Sequence, residues 1–157
     1  MINYNLVFKS IYWPARSKKI HILINDILKF QHDLRFKKNI NYDCNLILVD
    51  NKFIKKINKK FRNLNKITDV LTFVSETKFK GQKKNKICDV FISAEIISKD
   101  SKKNGTNFYD HLTHLIVHSF LHINGLMHKK FNDFLKMKNI EIKILKKLGI
   151  TNPYINN

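Results

Sequence analysis

The sequence is poor in the residues that punctuate or cross-link a chain. Only four glycines and two prolines occur in 157 residues, which excludes collagen-like, fibrous and linker-dominated architectures. The two cysteines, Cys44 and Cys88, each sit inside an apolar stretch. They read as buried thiols of a reducing cytoplasm, not as a disulfide framework. No apolar run approaches the roughly 18 to 20 residues that span a bilayer, and the first ten residues lack the apolar centre of a signal peptide. A cytoplasmic protein without a membrane partner is expected. Core material is plentiful: 43% of residues are hydrophobic, and twelve Phe, five Tyr and one Trp supply aromatic bulk. Disorder is thereby excluded, and one domain over 1–157 is expected.

Acidic residues are also scarce. Twelve Asp plus Glu stand against thirty Lys plus Arg, a formal net charge of +18. A polyanionic partner is one explanation. The other is compositional. Only Arg16, Arg35 and Arg62 are arginines, and Lys, Asn and Ile together make 68 of the 157 residues. All three are encoded by codons rich in A and T, so drift in an AT-rich genome produces the same excess. Charge alone states compatibility with nucleic acid.

Hydropathy patterning orders the chain. A strand is expected over 2–8, then an amphipathic helix over 17–34 with apolar residues at Ile20, Leu23, Ile24, Ile27, Leu28 and Leu34. The apolar run 44–50 reads as a buried strand. A second helix follows, with Phe53, Ile54, Ile57 and Phe61 inward and Lys52, Lys55, Lys56, Lys59 and Lys60 outward. Residues 68–74 and 87–93 read as an antiparallel strand pair around a Lys-rich loop, 78–86. Helices are expected over 94–103, 108–123 and 132–148, the first of them stopped by Asn104-Gly105. The fold class is α/β (α+β): a single mixed sheet of about four strands packed by about five helices.

Five of the seven histidines lie between positions 111 and 128. His118 and His122 are four apart on an expected helix, so their rings leave one face, one turn apart. Gly125 lets the chain leave that helix through left-handed backbone angles, and the turn can return His128 as a third nitrogen. The run is HSFLHINGLMH, or His-x3-His-x2-Gly-x2-His. Three imidazoles at about 2.0 to 2.1 Å leave a fourth tetrahedral position open, the arrangement of a catalytic zinc site. His111 and His114 extend the same face and suit packing, hydrogen bonding to the ligands or substrate contact. Metzincin proteases share the spacing but need Glu after the first His. Ser119 stands there, and Glu76, Glu95 and Glu141 all lie outside the motif.

These residues resemble those of the bacterial YbeY-type endoribonucleases, metal-dependent factors of ribosomal RNA maturation. HSFLHINGLMH is similar to the family's HGxLHLxGYDH. Asn58-Lys59-Lys60-Phe61-Arg62 resembles its N-x-x-Y/F-R, and Thr68-Asp69-Val70-Leu71-Thr72-Phe73 its T-D/N-V-L-S/T-F. Cys88-Asp89-Val90-Phe91-Ile92-Ser93 resembles a further strand, and Met137, Glu141, Ile144, Leu145 and Leu148-Gly149-Ile150 the closing helix. The resemblance runs from about Leu46 to Ile150. The chain departs at Ser119 for Gly, Leu126-Met127 for Tyr-Asp, Cys88 for Gly and Val74 for Pro, so a carboxylate beside the last histidine is missing.

The resemblance implies a zinc-dependent, single-strand endoribonuclease acting on ribosomal RNA, with the ribosome or its subunits as partner and DNA not expected. One Zn²⁺ per chain would be held by His118, His122 and His128, lowering the pKa of bound water toward about 7. Arg62 is the expected catalytic residue, because its planar fork matches two phosphate oxygens. Asp69 either orients a ligand or caps its strand. Lys59 and Lys60 are expected on the RNA backbone. Two alternatives stand beside this reading: a catalytically weakened ribosome- or RNA-binding factor that keeps its metal, and a metzincin-like metallohydrolase.

Overall fold

The computed structural model describes residues 1–128 and 130–155. Its elements run β1 (Ile2–Phe8), α1 (Ser17–Leu28), β2 (Ile40–Val49), α2 (Asn51–Arg62), β3 (Val70–Thr77), β4 (Lys84–Ser93), α3 (Ala94–Asn104), α4 (Phe108–Ile123) and α5 (Phe131–Lys147), with a 3-10 turn at Pro14–Arg16. The arrangement is α+β, with one mixed four-stranded sheet and five α-helices among the described residues. No helix among them is long and apolar enough to cross a membrane. The chain divides into two compact units, residues 1–17 with 37–97, and residues 18–36 with 98–157.

The first unit holds the sheet, in the order β1-β2-β4-β3. β1 pairs with β2 and β2 with β4 in parallel, while β3 and β4 form the expected antiparallel pair. β2 alternates from Ile40 to Leu48: Ile40, Tyr42, Cys44, Leu46 and Leu48 are buried on one face, as a pleated strand requires, and only the last residue, Val49, is buried on the other. The opposite face carries a polar ladder. Asn3 bonds Asp43 at 3.0 Å, Asn5 bonds Asn45 at 3.2 Å, and Asn45 continues to Asp89 at 2.8 Å. Cys44 and Cys88 are register partners, both buried and both free thiols.

Asp50 ends β2 and caps α2, its carboxylate accepting from the Phe53 N–H at 2.7 Å. The helix seats Ile54 against Val49 and Leu71, with Phe53, Ile57, Phe73 and Phe91 packed around them. Phe61, expected inward, is 57% exposed and rests on Phe73 with centroids 5.2 Å apart. It lies in the last turn of α2, where Phe73 offers it one ring and no more.

The second unit is helical. α4 buries Leu112, Leu115, Ile116, Val117, Phe120, Leu121 and Ile123, so it is apolar nearly all round. The half-buried His111, His114, His118 and His122 form the exception, one stripe along its length. α4 packs against α5, which buries Met137, Glu141, Ile144 and Leu145. α1 stops at Leu28, not at position 34; residues 29–35 form turns, with Arg35 at φ 63°. Leu34 is nevertheless buried, which is why the apolar periodicity outruns the helix.

Candidate metal centre

The site begins with the way α4 ends. Gly125 has φ 89°, in the left-handed region that glycine adopts cheaply. The Leu126 N–H donates to the Leu121 carbonyl at 3.1 Å, and the Gly125 N–H to the His122 carbonyl at 2.9 Å. This bond pair is a Schellman cap. It folds the chain back so that the Leu126 carbonyl accepts from His122 Nδ1 at 2.8 Å. His128 follows two residues later, its ring centroid 4.9 Å from that of His122 and 5.4 Å from that of His118. Ser119 is fully buried, and its hydroxyl donates to the Leu115 carbonyl at 2.8 Å. The departure from glycine is thus satisfied within the helix.

A second support comes from α5. Glu141, 1% exposed, accepts from His118 Nδ1 through Oε1 at 2.7 Å. Its Oε2 lies 3.0 Å from His114 Nε2 and also accepts from the Tyr154 hydroxyl. Burial alone would raise this carboxyl's pKa, but the bonds from His114 and His118, the charge of His118 and the Tyr154 hydroxyl outweigh it and hold the value near about 2. Burial pushes the Tyr154 hydroxyl well above the usual phenol range, and its bond to Glu141 adds to that.

These bonds fix both tautomers. A carboxylate and a carbonyl oxygen only accept, so the Nδ1 atoms of His118 and His122 carry the protons. The lone pairs are left on the two Nε2 atoms, which stand 2.9 Å apart. Two lone pairs at that distance repel unless a cation is shared between them. Burial and the neighbouring charges of His118 and His128 hold the His122 pKa down at about 4, against the raising effect of the Leu126 carbonyl. Two imidazole nitrogens facing one another with His128 beside them form a donor set that a metal ion suits. Bonds of 2.0 to 2.1 Å in a tetrahedron set zinc's ligand nitrogens about 3.3 Å apart, which this pair reaches by a shift of a few tenths of an ångström. One ligand atom from each of His118, His122 and His128 lies within 4.8 Å of the others.

His114 thus enters as a hydrogen-bond partner of the carboxylate that orients His118. Arg62, Lys59, Lys60 and Asp69 belong to the first unit. Arg62 closes α2, exposed, with its guanidinium 5.9 Å from the centre of the Phe73 ring. Lys59 and Lys60 are exposed on the same helix. The Asp69 carboxylate accepts from the Val70 N–H at 2.8 Å and the Thr68 hydroxyl at 3.1 Å, the contacts of a strand cap. Glu141 and Tyr154 were not expected in the site. Glu141 had a legible signal, a carboxylate on the apolar stripe Met137-Glu141-Ile144-Leu145; Tyr154 had none.

Comparison with known proteins identifies the family. A family model described as Endoribonuclease YbeY matches residues 9–149, a span that begins well before the motifs noted above. A curated relative of that name from Pelagibacter ubique is 39% identical over 140 residues, covering 87% of this chain and 90% of its own. One from Bartonella quintana is 32% identical over 155 residues, 98% of each chain. A solution structure of a Thermotoga maritima protein superposes with a TM-score of 0.57 at 23% identity, covering 95% of this chain and 92% of that one. The last shows likeness of fold.

Proposed function

Because this chain belongs to the Endoribonuclease YbeY family, we propose that it is a zinc-dependent, single-strand-specific endoribonuclease of ribosomal RNA processing, working in the cytoplasm on the ribosome or its subunits. One observation carries the metal assignment: the Nε2 atoms of His118 and His122 face each other at 2.9 Å with both Nδ1 atoms already spent. The three-imidazole set, free of thiolate, suits zinc and leaves a fourth position open. Zinc held there by His118, His122 and His128 would supply Lewis acidity and would acidify a water near neutral pH.

The chain's own residues do the rest. Glu141 holds the His118 ring in one tautomer and orientation, and the Leu126 carbonyl does the same for His122. Buried to 1% exposure, Glu141 does not reach a substrate proton, so it positions a ligand. His114 shares that carboxylate and keeps its second oxygen satisfied. Arg62 would supply the planar cation that pairs with two phosphate oxygens as charge builds on them, a task a lysine ammonium performs less well. Lys59 and Lys60 would hold the backbone through salt-dependent contacts.

The test is cleavage of a single-stranded RNA oligomer by the purified protein. Cleavage that stops with a chelator and returns with zinc supports the reading. RNA binding without cleavage at any metal concentration favours instead a binding factor that has kept its metal.

A further inference from the structure

The histidine stripe of α4 adjoins a feature that metal binding does not use. Beside His118 and His128 opens a cleft of about 100 Å³, walled by Phe134, Met137, Lys138 and Tyr154. Phe134 and Tyr154 meet edge to face, with centroids 6.5 Å apart and planes at 88°. Met137, 1% exposed, lies buried beneath them, whereas Phe134 keeps 37% of its surface in solvent. The Lys138 ammonium sits 4.6 Å from the centre of the Tyr154 ring and 5.8 Å from that of Phe134. Tyr154 is fixed in place: its hydroxyl donates to Glu141, and its ring packs against His114 at 5.5 Å.

We propose that this cleft is a nucleobase subsite, in which one unpaired base of the RNA stacks on the part-exposed ring of Phe134, with Tyr154 standing edge to face beside that ring, while Lys138 pairs with the adjoining phosphate. The proposal rests on the ribonuclease reading and adds the group that seats the substrate. The cleft is small and aromatic, suited to one planar ring and not to a folded peptide segment. Two charged groups line it: Glu141, buried with its oxygens bonded to His114, His118 and Tyr154, and Lys138, the cation left to meet a polyanion. Every base offers a π-face, so such a platform binds without demanding a sequence. A base already paired in a helix cannot turn into it, which gives strand selectivity a physical cause. Glu141 links the two halves of the site. Its Oε2 holds Tyr154 and its Oε1 holds His118, so the wall beside a base on Phe134 is registered against a metal ligand.

The experiment measures binding, not turnover. Zinc-loaded wild type, Phe134→Ala and Phe134→Trp are titrated at one fixed salt concentration into a single-stranded oligomer blocked from cleavage by 2′-O-methyl riboses. A fully abasic oligomer of the same length is titrated alongside. Phe134→Ala should weaken binding about 5- to 100-fold, the range for losing one base–aromatic stack, with zinc content unchanged. Phe134→Trp should restore it, and the abasic oligomer should bind wild type and Phe134→Ala alike. If wild type binds and cleaves RNA but Phe134→Ala binds equally well, the subsite is wrong and the ribonuclease reading stands. If Phe134→Ala loses zinc, Phe134 is structural and the subsite is again wrong. If wild type neither binds nor cleaves RNA, the ribonuclease reading falls and takes the subsite with it.

Discussion

His118 Nδ1 stands 2.7 Å from Oε1 of Glu141, a carboxylate 1% exposed and 23 residues further along the chain. That bond decides which nitrogen of His118 is left to bind metal. The missing family carboxylate at Met127 therefore does not leave the histidines unsupported, because an acid from α5 reaches one of them from behind.

Glu141→Gln tests this directly. The amide keeps the shape but presents one acceptor oxygen where the carboxylate presents two, so His118 or the His114–Tyr154 pair loses its partner. Zinc affinity should fall about 10- to 100-fold, the usual cost of removing the group that orients a ligand. A zinc competition titration reads the change. Glu141→Ala should in addition destabilise the fold by about 3 kcal/mol in urea, since three polar groups lose a buried partner.

Gly125 isolates the turn. A Cβ there would meet nothing within 4 Å, so Gly125→Ala suffers only from its φ of 89°. The expected loss is about 1 to 2 kcal/mol of stability, with weaker zinc binding because the Leu126 carbonyl and His128 lose their aim. Unchanged zinc affinity in a destabilised protein would separate the turn from the metal site.

Arg62→Lys keeps the charge and removes the fork. Zinc content and melting temperature should match wild type while turnover drops about 10- to 1,000-fold, the usual cost of one charge-stabilising contact. Wild-type turnover would reduce Arg62 to a surface residue.

Asp33 gives a pH-dependent outcome. Its carboxylate bonds Lys143 at 3.0 Å and Lys147 at 2.6 Å, and these two hydrogen bonds hold its pKa below the ordinary value of 3.8. The unfolded state therefore takes up its proton first, so the stabilisation is complete above that value and is lost as pH falls through the lower folded one. Asp33→Asn should cost at most about 1 kcal/mol at pH 7, as exposed pairs do. Urea midpoints of the two proteins should converge as pH falls below the ordinary carboxylate range.

Much of the fold was legible because the residues that decide it are local. α4 has the expected bounds, since its apolar face, its Asn107 cap and Gly125 lie within one stretch of sequence. β2 starts at Ile40, four residues before the expected strand, because Asn41 and Asp43 look like loop residues until their ladder partners are known. β4 likewise starts at Lys84, inside the expected loop, where Lys84 and Lys86 both pair with Glu76 of β3. The site divides the same way. Three histidines within eleven residues announce themselves, whereas Glu141 and Tyr154 arrive through contacts 27 and 40 residues from His114, which no local pattern encodes.

The most direct test is X-ray absorption at the zinc edge on protein purified without added metal and then reconstituted with one equivalent. About one zinc per chain, coordinated by three nitrogens and one oxygen at 2.0 to 2.1 Å, is the expected result, and His122→Ala should abolish it. Sulfur in the coordination shell, or zinc bound equally well by His122→Ala, would contradict the account.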